Sequence, residues 1–132
     1  MILALKTDGA NTGLWLYSRP EDKKAAAEFK WESGKQLSTE LLGRILELLK
    51  SKNQALSALT AIVIFSGPGS FTSLRIGHTT ANSLADSLQI PVVGSTGEDW
   101  LGTGLKLVES AKPGVPVLPL YGSEPNVTRP KS

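Results

Sequence analysis

The chain has 132 residues, 40% of them hydrophobic, and this length supports one compact core. Its 14 basic and 12 acidic residues leave a formal net charge of +2, too small to predict nucleic-acid binding by the chain alone. The absence of cysteine excludes disulfides and thiolate chemistry. No stretch reaches the ~18 uninterrupted apolar residues of a membrane span, and the first residues do not resemble a signal peptide. We therefore predict a soluble, cytoplasmic protein with no membrane partner.

Three short strands in meander order are predicted at the start of the chain. The apolar runs at 2–5 and 13–17 flank a stretch of turn-forming residues, which predicts a hairpin. In the third strand, predicted over 25–31, Phe29 and Trp31 alternate with Lys30, as expected of a half-buried strand.

A parallel crossover unit is predicted in the middle of the chain. A helix over 38–50, capped by Ser38, precedes the continuous apolar run 61–65, which predicts a central strand covered on both faces. A helix over 72–88 and a strand over 91–94 complete the unit.

The last part of the chain is predicted to hold one more helix and a tail. The helix lies around 100–109, with Thr96 as its cap. Residues 112–132 are rich in proline and glycine, which predicts an extended or disordered tail after a lobe that covers residues 1–111.

The loop SGPGSFTSLRIG at 66–77 joins the predicted central strand to the next helix. A glycine turn at a helix start can hold an anion with its backbone N–H groups. The candidate anion-binding residues are Gly67, Gly69, Ser70, Thr72 and Arg75. The loop lacks the lysine of a P-loop and the third glycine of a dinucleotide fingerprint. The alternative is a plain turn, in which Thr72 caps the helix and Phe71 packs against Ile76 as a hydrophobic staple.

Both central helices carry more apolar surface than one sheet face can cover. Small residues four apart make one side of the second helix smooth enough for close approach. This surplus predicts a helix–helix interface with another chain; the alternative is that the two helices lie side by side on one sheet face. The candidate interface residues are Leu41, Leu42, Ile45, Leu46, Leu49, Ser73, Gly77, His78, Ala81, Leu84 and Ala85.

Residues typical of catalysis are scarce in this sequence. His78 is the one histidine, which excludes a histidine-rich metal site, and no GxSxG hydrolase elbow is present. The adjacent Glu98 and Asp99 lie near a predicted helix start and indicate capping rather than acid–base chemistry. We therefore predict no catalytic residue, no metal and no cofactor.

The run AIVIFSGPGSFTSLRIGHTTANSLADSLQIPVVGST at 61–96 closely resembles the TsaB (YeaZ-like) family, whose hallmark is GPGSFTGLRIG. Ser73 stands where that hallmark has glycine. The opening ILALKT at 2–7 is similar to the family's ILAIDT, and LSTELL at 37–42 to its HSExLLP-like helix start. The segments PLY at 119–121 and PNVT at 125–128 are similar to the family's closing PxYLR…PDVT.

The resemblance implies an α/β fold, a single ASKHA lobe (actin-like, Hsp70-like and ribonuclease-H-like) with a mixed five-stranded sheet and helices. It implies a non-catalytic scaffold that pairs with the transferase TsaD and supports N6-threonylcarbamoylation of adenosine 37 in tRNA. A TsaE-like ATPase would join the pair, and tRNA would be engaged indirectly. Family pairing uses the helices that correspond to 38–50 and 72–88, either with TsaD or with a second copy in a homodimer.

The sequence departs from the family in three ways. Lys6 stands where the family has aspartate, and Leu37 where it has histidine. The resemblance also passes almost directly from the last helix of the first lobe to the tail, so we expect a minimal form without most of the second lobe. Two other functions stay open: a nucleotide-binding or ATP-hydrolysing ASKHA protein that uses the loop 67–72, and a self-associating module unrelated to TsaD.

Overall fold

The computed structural model describes residues 1–121 and forms three layers, with helices on both faces of one sheet. In chain order the elements are β1 (Ile2–Lys6), β2 (Asn11–Tyr17), β3 (Ala27–Glu32), α1 (Leu37–Lys50), β4 (Ala61–Phe65), α2 (Phe71–Leu88), β5 (Val92–Ser95) and α3 (Trp100–Leu107). Short 3₁₀ turns at Gly34–Gln36 and Leu56–Ala58 precede α1 and β4. Within residues 1–121, none of the helices has the length and apolar character needed to cross a membrane.

The sheet combines antiparallel and parallel pairing in the order β3-β2-β1-β4-β5. Strands β1, β2 and β3 pair antiparallel, which confirms the predicted meander. Strands β1 and β4 pair parallel, as do β4 and β5, which confirms the predicted crossover unit. The predicted α/β class with a mixed five-stranded sheet is therefore confirmed.

Helices α1 and α2 lie together on one face of the sheet, and α3 covers the other. The first core includes Leu3, Leu5, Leu41, Ile45, Leu49, Ile62, Ile64, Ala81 and Ala85. The second includes Ile2, Ala4, Tyr17, Val63, Phe65, Trp100 and Leu105. Because alternate residues of a strand point to opposite faces, β4 contributes to both cores and all five of its residues are buried.

The N-caps predicted for α1 and α3 are wrong. Helix α1 begins at Leu37, with Gln36 at the N-cap and no side-chain cap bond, so Ser38 is an exposed residue of its first turn. Leu37 is buried in the core, and this contact together with the preceding 3₁₀ turn decides where the helix begins. Asp99, rather than Thr96, occupies the N-cap of α3, because the chain turns at Gly97, whose φ is +85°.

Gly77 brings α2 close to the end of β1. A Cβ at this position would collide with the Thr7 side chain, whose Cβ would lie 2.8 Å away. We expect Gly77→Ala to lower the free energy of unfolding by about 1–3 kcal/mol, because the helix must move away from the sheet. Urea denaturation of the purified chain measures this loss.

Gly43 of α1 provides the matched control. Nothing lies within 4 Å of a Cβ built there, so Gly43→Ala should raise the free energy of unfolding by up to about 1 kcal/mol through helix propensity alone. Equal stability of Gly77→Ala and the parent chain would contradict the close helix–sheet approach.

Candidate functional site: the glycine loop and the outer face of the helix pair

The glycine loop, residues 66–70, turns the chain from β4 into α2 and packs against the turn after β1. Gly67 has φ +122°, a conformation that favours glycine, and the Gly67–Pro68 peptide is cis. The Ser70 N–H donates to the Asp8 carbonyl oxygen at 2.8 Å. A Cβ at Gly69 would lie 2.5 Å from that same oxygen. Both glycines therefore serve close backbone packing.

Residues 117–121, which we call the strap, lie across the loop from the other side. The Asn82 side chain donates to the Val117 carbonyl and accepts from the Val117 N–H, both at 2.9 Å. The Leu120 N–H donates to the Ser66 carbonyl at 2.7 Å. The strap is part of the predicted tail; residues 122–132, with the motif at 125–128, lie outside the described residues.

The surroundings of the loop do not suit an anion. The carbonyl oxygen of Leu120 lies against Gly67, and that of Asp8 lies against Gly69. Carbonyl oxygens accept hydrogen bonds and carry partial negative charge, so they repel a phosphate brought to either glycine. Of the two interpretations left open by the sequence, this arrangement favours the turn over the phosphate-binding loop.

Lys6 also has partners within the chain. Its Nζ lies 2.8 Å from Asp8 Oδ2 and 4.6 Å from the centroid of the Phe65 ring. Within residues 1–121, no group of three or more His, Cys, Asp or Glu side chains is placed to hold a metal ion. The charged groups described here near the β1–β2 turn therefore form an ion pair beside an aromatic ring.

The start of α2 differs from the predicted one. Ser70 is the N-cap, and its Oγ accepts a hydrogen bond from the Ser73 N–H at 3.5 Å. Thr72 therefore lies inside the helix, and the predicted staple between Phe71 and Ile76 is wrong because Phe71 is the first helical residue. The Phe71 ring instead packs on Tyr121 of the strap, with 4.4 Å between centroids.

Most of the predicted interface residues lie inside the chain's own core. Those that are buried are Leu41, Ile45, Leu49, Gly77, His78, Ala81 and Ala85. The reason is the side-by-side arrangement of α1 and α2 on one sheet face, which was the alternative to an interface with another chain. Leu42 and Leu46 remain 47% and 43% exposed, while Ser73 and Leu84 are half-buried. An interface with another chain at the helix pair stays a prediction, and the surface available for it is smaller than the sequence indicated.

That surface, the outer face of the helix pair, consists of Ser38, Leu42, Leu46, Phe71, Thr72, Arg75 and Thr79. A hollow of about 410 Å³ lies between the N-terminal halves of the two helices and is lined by Ser38, Phe71, Thr72, Arg75 and Thr79, among others. Arg75 is exposed there and forms no ion pair within residues 1–121. The outer face thus combines two exposed leucines, an aromatic ring and one cation.

Sequence reasoning missed Asn82 and Tyr121, which hold the strap in place. Asparagine is a weak helix former, so its presence in the middle of a helix was a signal that its side chain serves another purpose. No local signal in the sequence pairs Tyr121 with Phe71, because the two residues are distant along the chain.

His78 is a core residue of α2. Its Nδ1 lies 2.7 Å from the Leu74 carbonyl oxygen, so Nδ1 carries the proton and donates. Its Nε2 is buried and finds no hydrogen-bond partner among residues 1–121. Burial lowers the pKa of His78, and the bond to Leu74 only partly opposes that change.

Acid should destabilise the fold through His78. In the unfolded chain its pKa returns to about 6.5, so between about pH 7 and pH 5 the unfolded state binds a proton that the folded state resists. The contribution of the neutral His78 ring to the free energy of unfolding is therefore present above about pH 6.5 and is lost as the pH falls. We expect the free energy of unfolding to fall less steeply with acid in His78→Gln. Equal slopes in urea titrations across this range would contradict the assignment.

Asn82→Ala should loosen the strap. The substitution removes both hydrogen bonds to Val117 and should cost about 1–2 kcal/mol, with faster hydrogen exchange at the Val117 and Leu120 amides. Ser83→Ala, at the exposed neighbouring position, is the control and should leave those amides unchanged. Unaltered exchange at Leu120 in Asn82→Ala would show that the strap is held by other contacts.

Comparison with known proteins identifies relatives of this chain. Residues 32–120 match the family model described as TsaD: tRNA N6-adenosine threonylcarbamoyltransferase. The chain is 35% identical over 91 residues to the tRNA threonylcarbamoyladenosine biosynthesis protein TsaB of Bacillus subtilis (strain 168), an alignment that spans 69% of this chain and 38% of that protein. It is 37% identical over 59 residues to the TsaB of Buchnera aphidicola subsp. Acyrthosiphon pisum (strain APS), across 45% of this chain and 27% of that one.

Solved structures show the same similarity. YeaZ from Pseudomonas aeruginosa superposes with a TM-score of 0.64 at 30% identity, over 72% of this chain and 43% of that one. A structure described as an uncharacterized protein with similarity to peptidase YEAZ from Pseudomonas aeruginosa matches with the same TM-score and identity, over 42% of its length. The chain thus spans less than half the length of these relatives.

Proposed function

The chain belongs to the TsaB (YeaZ-like) branch of the TsaD threonylcarbamoyltransferase family, and from this membership we propose that it acts in threonylcarbamoyladenosine formation in tRNA. Its role there is that of a non-catalytic subunit that pairs with TsaD. The observation that carries the proposal is the family match over residues 32–120, which contains both helices of the outer face.

A non-catalytic role is supported by the placement of the polar side chains. A serine peptidase of the Ser-His-Asp type needs a histidine beside its nucleophile, and His78 is buried with Nδ1 bonded to Leu74. A phosphate-transferring enzyme needs a cradle for its substrate, and the glycine loop faces the carbonyl oxygens of Asp8 and Leu120.

The outer face supports pairing through a helix. Leu42 and Leu46 lie four residues apart, so they form one exposed stripe along α1. Burying the exposed part of each leucine against a partner would contribute about 1 kcal/mol, and burying the exposed part of Phe71 would add to this. If TsaD and a second copy of the chain both bind this stripe, the two would compete for it.

Leu42→Asp combined with Leu46→Asp tests this pairing. Two carboxylates in the middle of an apolar contact would be desolvated without partners, so we expect affinity for TsaD to fall at least ~100-fold, measured by calorimetry. Leu107→Asp on α3 is the matched control: that leucine is 43% exposed on the opposite face of the sheet, and its substitution should leave affinity unchanged. Ile45 and Ala81 are unsuitable positions because both are buried in the core.

Other outcomes would favour the other functions. ATP binding and turnover by the purified chain would overturn the non-catalytic role in favour of a nucleotide-dependent enzyme. Self-association without any affinity for TsaD would favour a self-associating module. Unchanged TsaD affinity in the double variant would remove the outer face as the pairing surface.

A further inference from the structure

A second pocket lies on the α3 side of the sheet, across from the helix pair. It has a volume of about 490 Å³ and is lined by Lys6, Asp8, Gly13, Trp15, Lys30 and Trp100, with the turn between β1 and β2 at its rim. This volume falls within the range of small-ligand sites in proteins. The proposed pairing with TsaD does not use this pocket.

The register of the sheet places two lysines on either side of one indole. Gly13 of β2 is the direct partner of Lys6 on β1 and of Lys30 on β3, so the three residues form one row across the strands. Adjacent strands lie about 4.8 Å apart, which separates the two lysine backbones by about 10 Å. A Cβ at Gly13 would lie 2.5 Å from Cη2 of Trp15, so the indole occupies the space above the glycine.

The Trp15 indole is held in this position by its neighbours. The Trp100 ring contacts it edge to face, with 5.5 Å between centroids and 70° between planes. Lys30 Nζ lies 5.7 Å from the indole centroid. Trp15 remains half-buried, whereas Trp100 is buried, so Trp15 presents the accessible aromatic surface of the pocket.

We propose that this pocket binds one nucleotide within a single-stranded RNA segment, with the base stacked on Trp15 and the flanking phosphates bound by Lys6 and Lys30. Aromatic stacking combined with cationic contacts to the backbone is how proteins bind single strands. A nucleotide within an RNA strand has a phosphate on each side, whereas a nucleoside monophosphate has only one. Because a lysine lies on each side of the indole, the pocket suits a nucleotide within a strand better than a free nucleoside monophosphate. The choice of RNA over DNA rests on the proposed function.

Each lysine has a carboxylate neighbour that a phosphate would replace. Asp8 Oδ2 lies 2.8 Å from Lys6 Nζ, and Glu28 Oε2 lies 3.6 Å from Lys30 Nζ. The Lys30 pair is exposed and the Lys6 pair is partly so, and ion pairs of this kind contribute little free energy. A phosphate that displaces either carboxylate from its lysine therefore gives up little free energy.

The indole N–H signals of the tryptophans in a ¹H–¹⁵N spectrum provide the test. A pentaadenylate RNA should shift the signal of Trp15, while Trp31, whose Nε1–H donates to Glu40 at 3.1 Å, should not move. For two phosphate contacts, the logarithm of the binding constant should fall against the logarithm of the salt concentration with a slope of about −1.4.

Variants of the lysines and smaller ligands test which contacts bind the RNA. Lys30→Gln should weaken RNA binding about tenfold and reduce the slope to about −0.7, whereas Lys50→Gln on α1 should change neither. Adenosine monophosphate should bind more weakly than the pentamer, and inorganic phosphate more weakly still.

Several results would overturn the RNA site. These are equal affinity for adenosine monophosphate and the pentamer, equal shifts of Trp15 and Trp31, or equal losses in Lys30→Gln and Lys50→Gln. Absent RNA binding with intact TsaD affinity would overturn this site alone. Absent TsaD affinity with intact RNA binding would overturn the proposed partnership alone.

Discussion

The burial of β4 on both faces is the constraint on which the other parts of the structure depend. Because its residues point alternately into two cores, both faces of the sheet must be covered by helices. Helices α1 and α2 share one face, and Ile45 and Ala81 are therefore buried in the chain's own core. Leu42 and Leu46 stay outside, so the surface proposed for a partner is what remains after the chain has covered its own central strand.

At the carboxyl edge of the parallel strands, where α/β proteins usually bind their ligands, residues 117–121 cover the ends of β4 and β5. The strap crosses them and is held by Asn82, and carbonyl oxygens of Asp8 and Leu120 face the glycine loop. The accessible chemistry lies instead on the α3 side, where Trp15 lies between lysines of neighbouring strands. In this chain the family's hallmark loop serves packing, and the surface proposed for RNA recognition lies elsewhere.

Element order and family were predictable from the sequence, whereas helix starts and the exposed surface were not. The hallmark at 66–77 and the apolar period of each strand are local, and the comparisons confirm the family they indicate. The caps failed because Leu37 and Phe71 begin their helices through contacts with distant residues. The periodicity of α1 indicates two apolar stripes. It does not indicate which stripe packs against α2, since that depends on how the helices lie on the sheet.

The sequence by itself determined which segments become strands and helices, because propensity, periodicity and turn residues act between near neighbours. It also determined the family, because one contiguous motif carries that identity. Only the tertiary structure decided that Lys6, Gly13 and Lys30 form one row, that His78 lies in the core and that residues 117–121 cover the glycine loop. These features join residues distant along the chain, so they follow from strand register and helix packing rather than from local pattern.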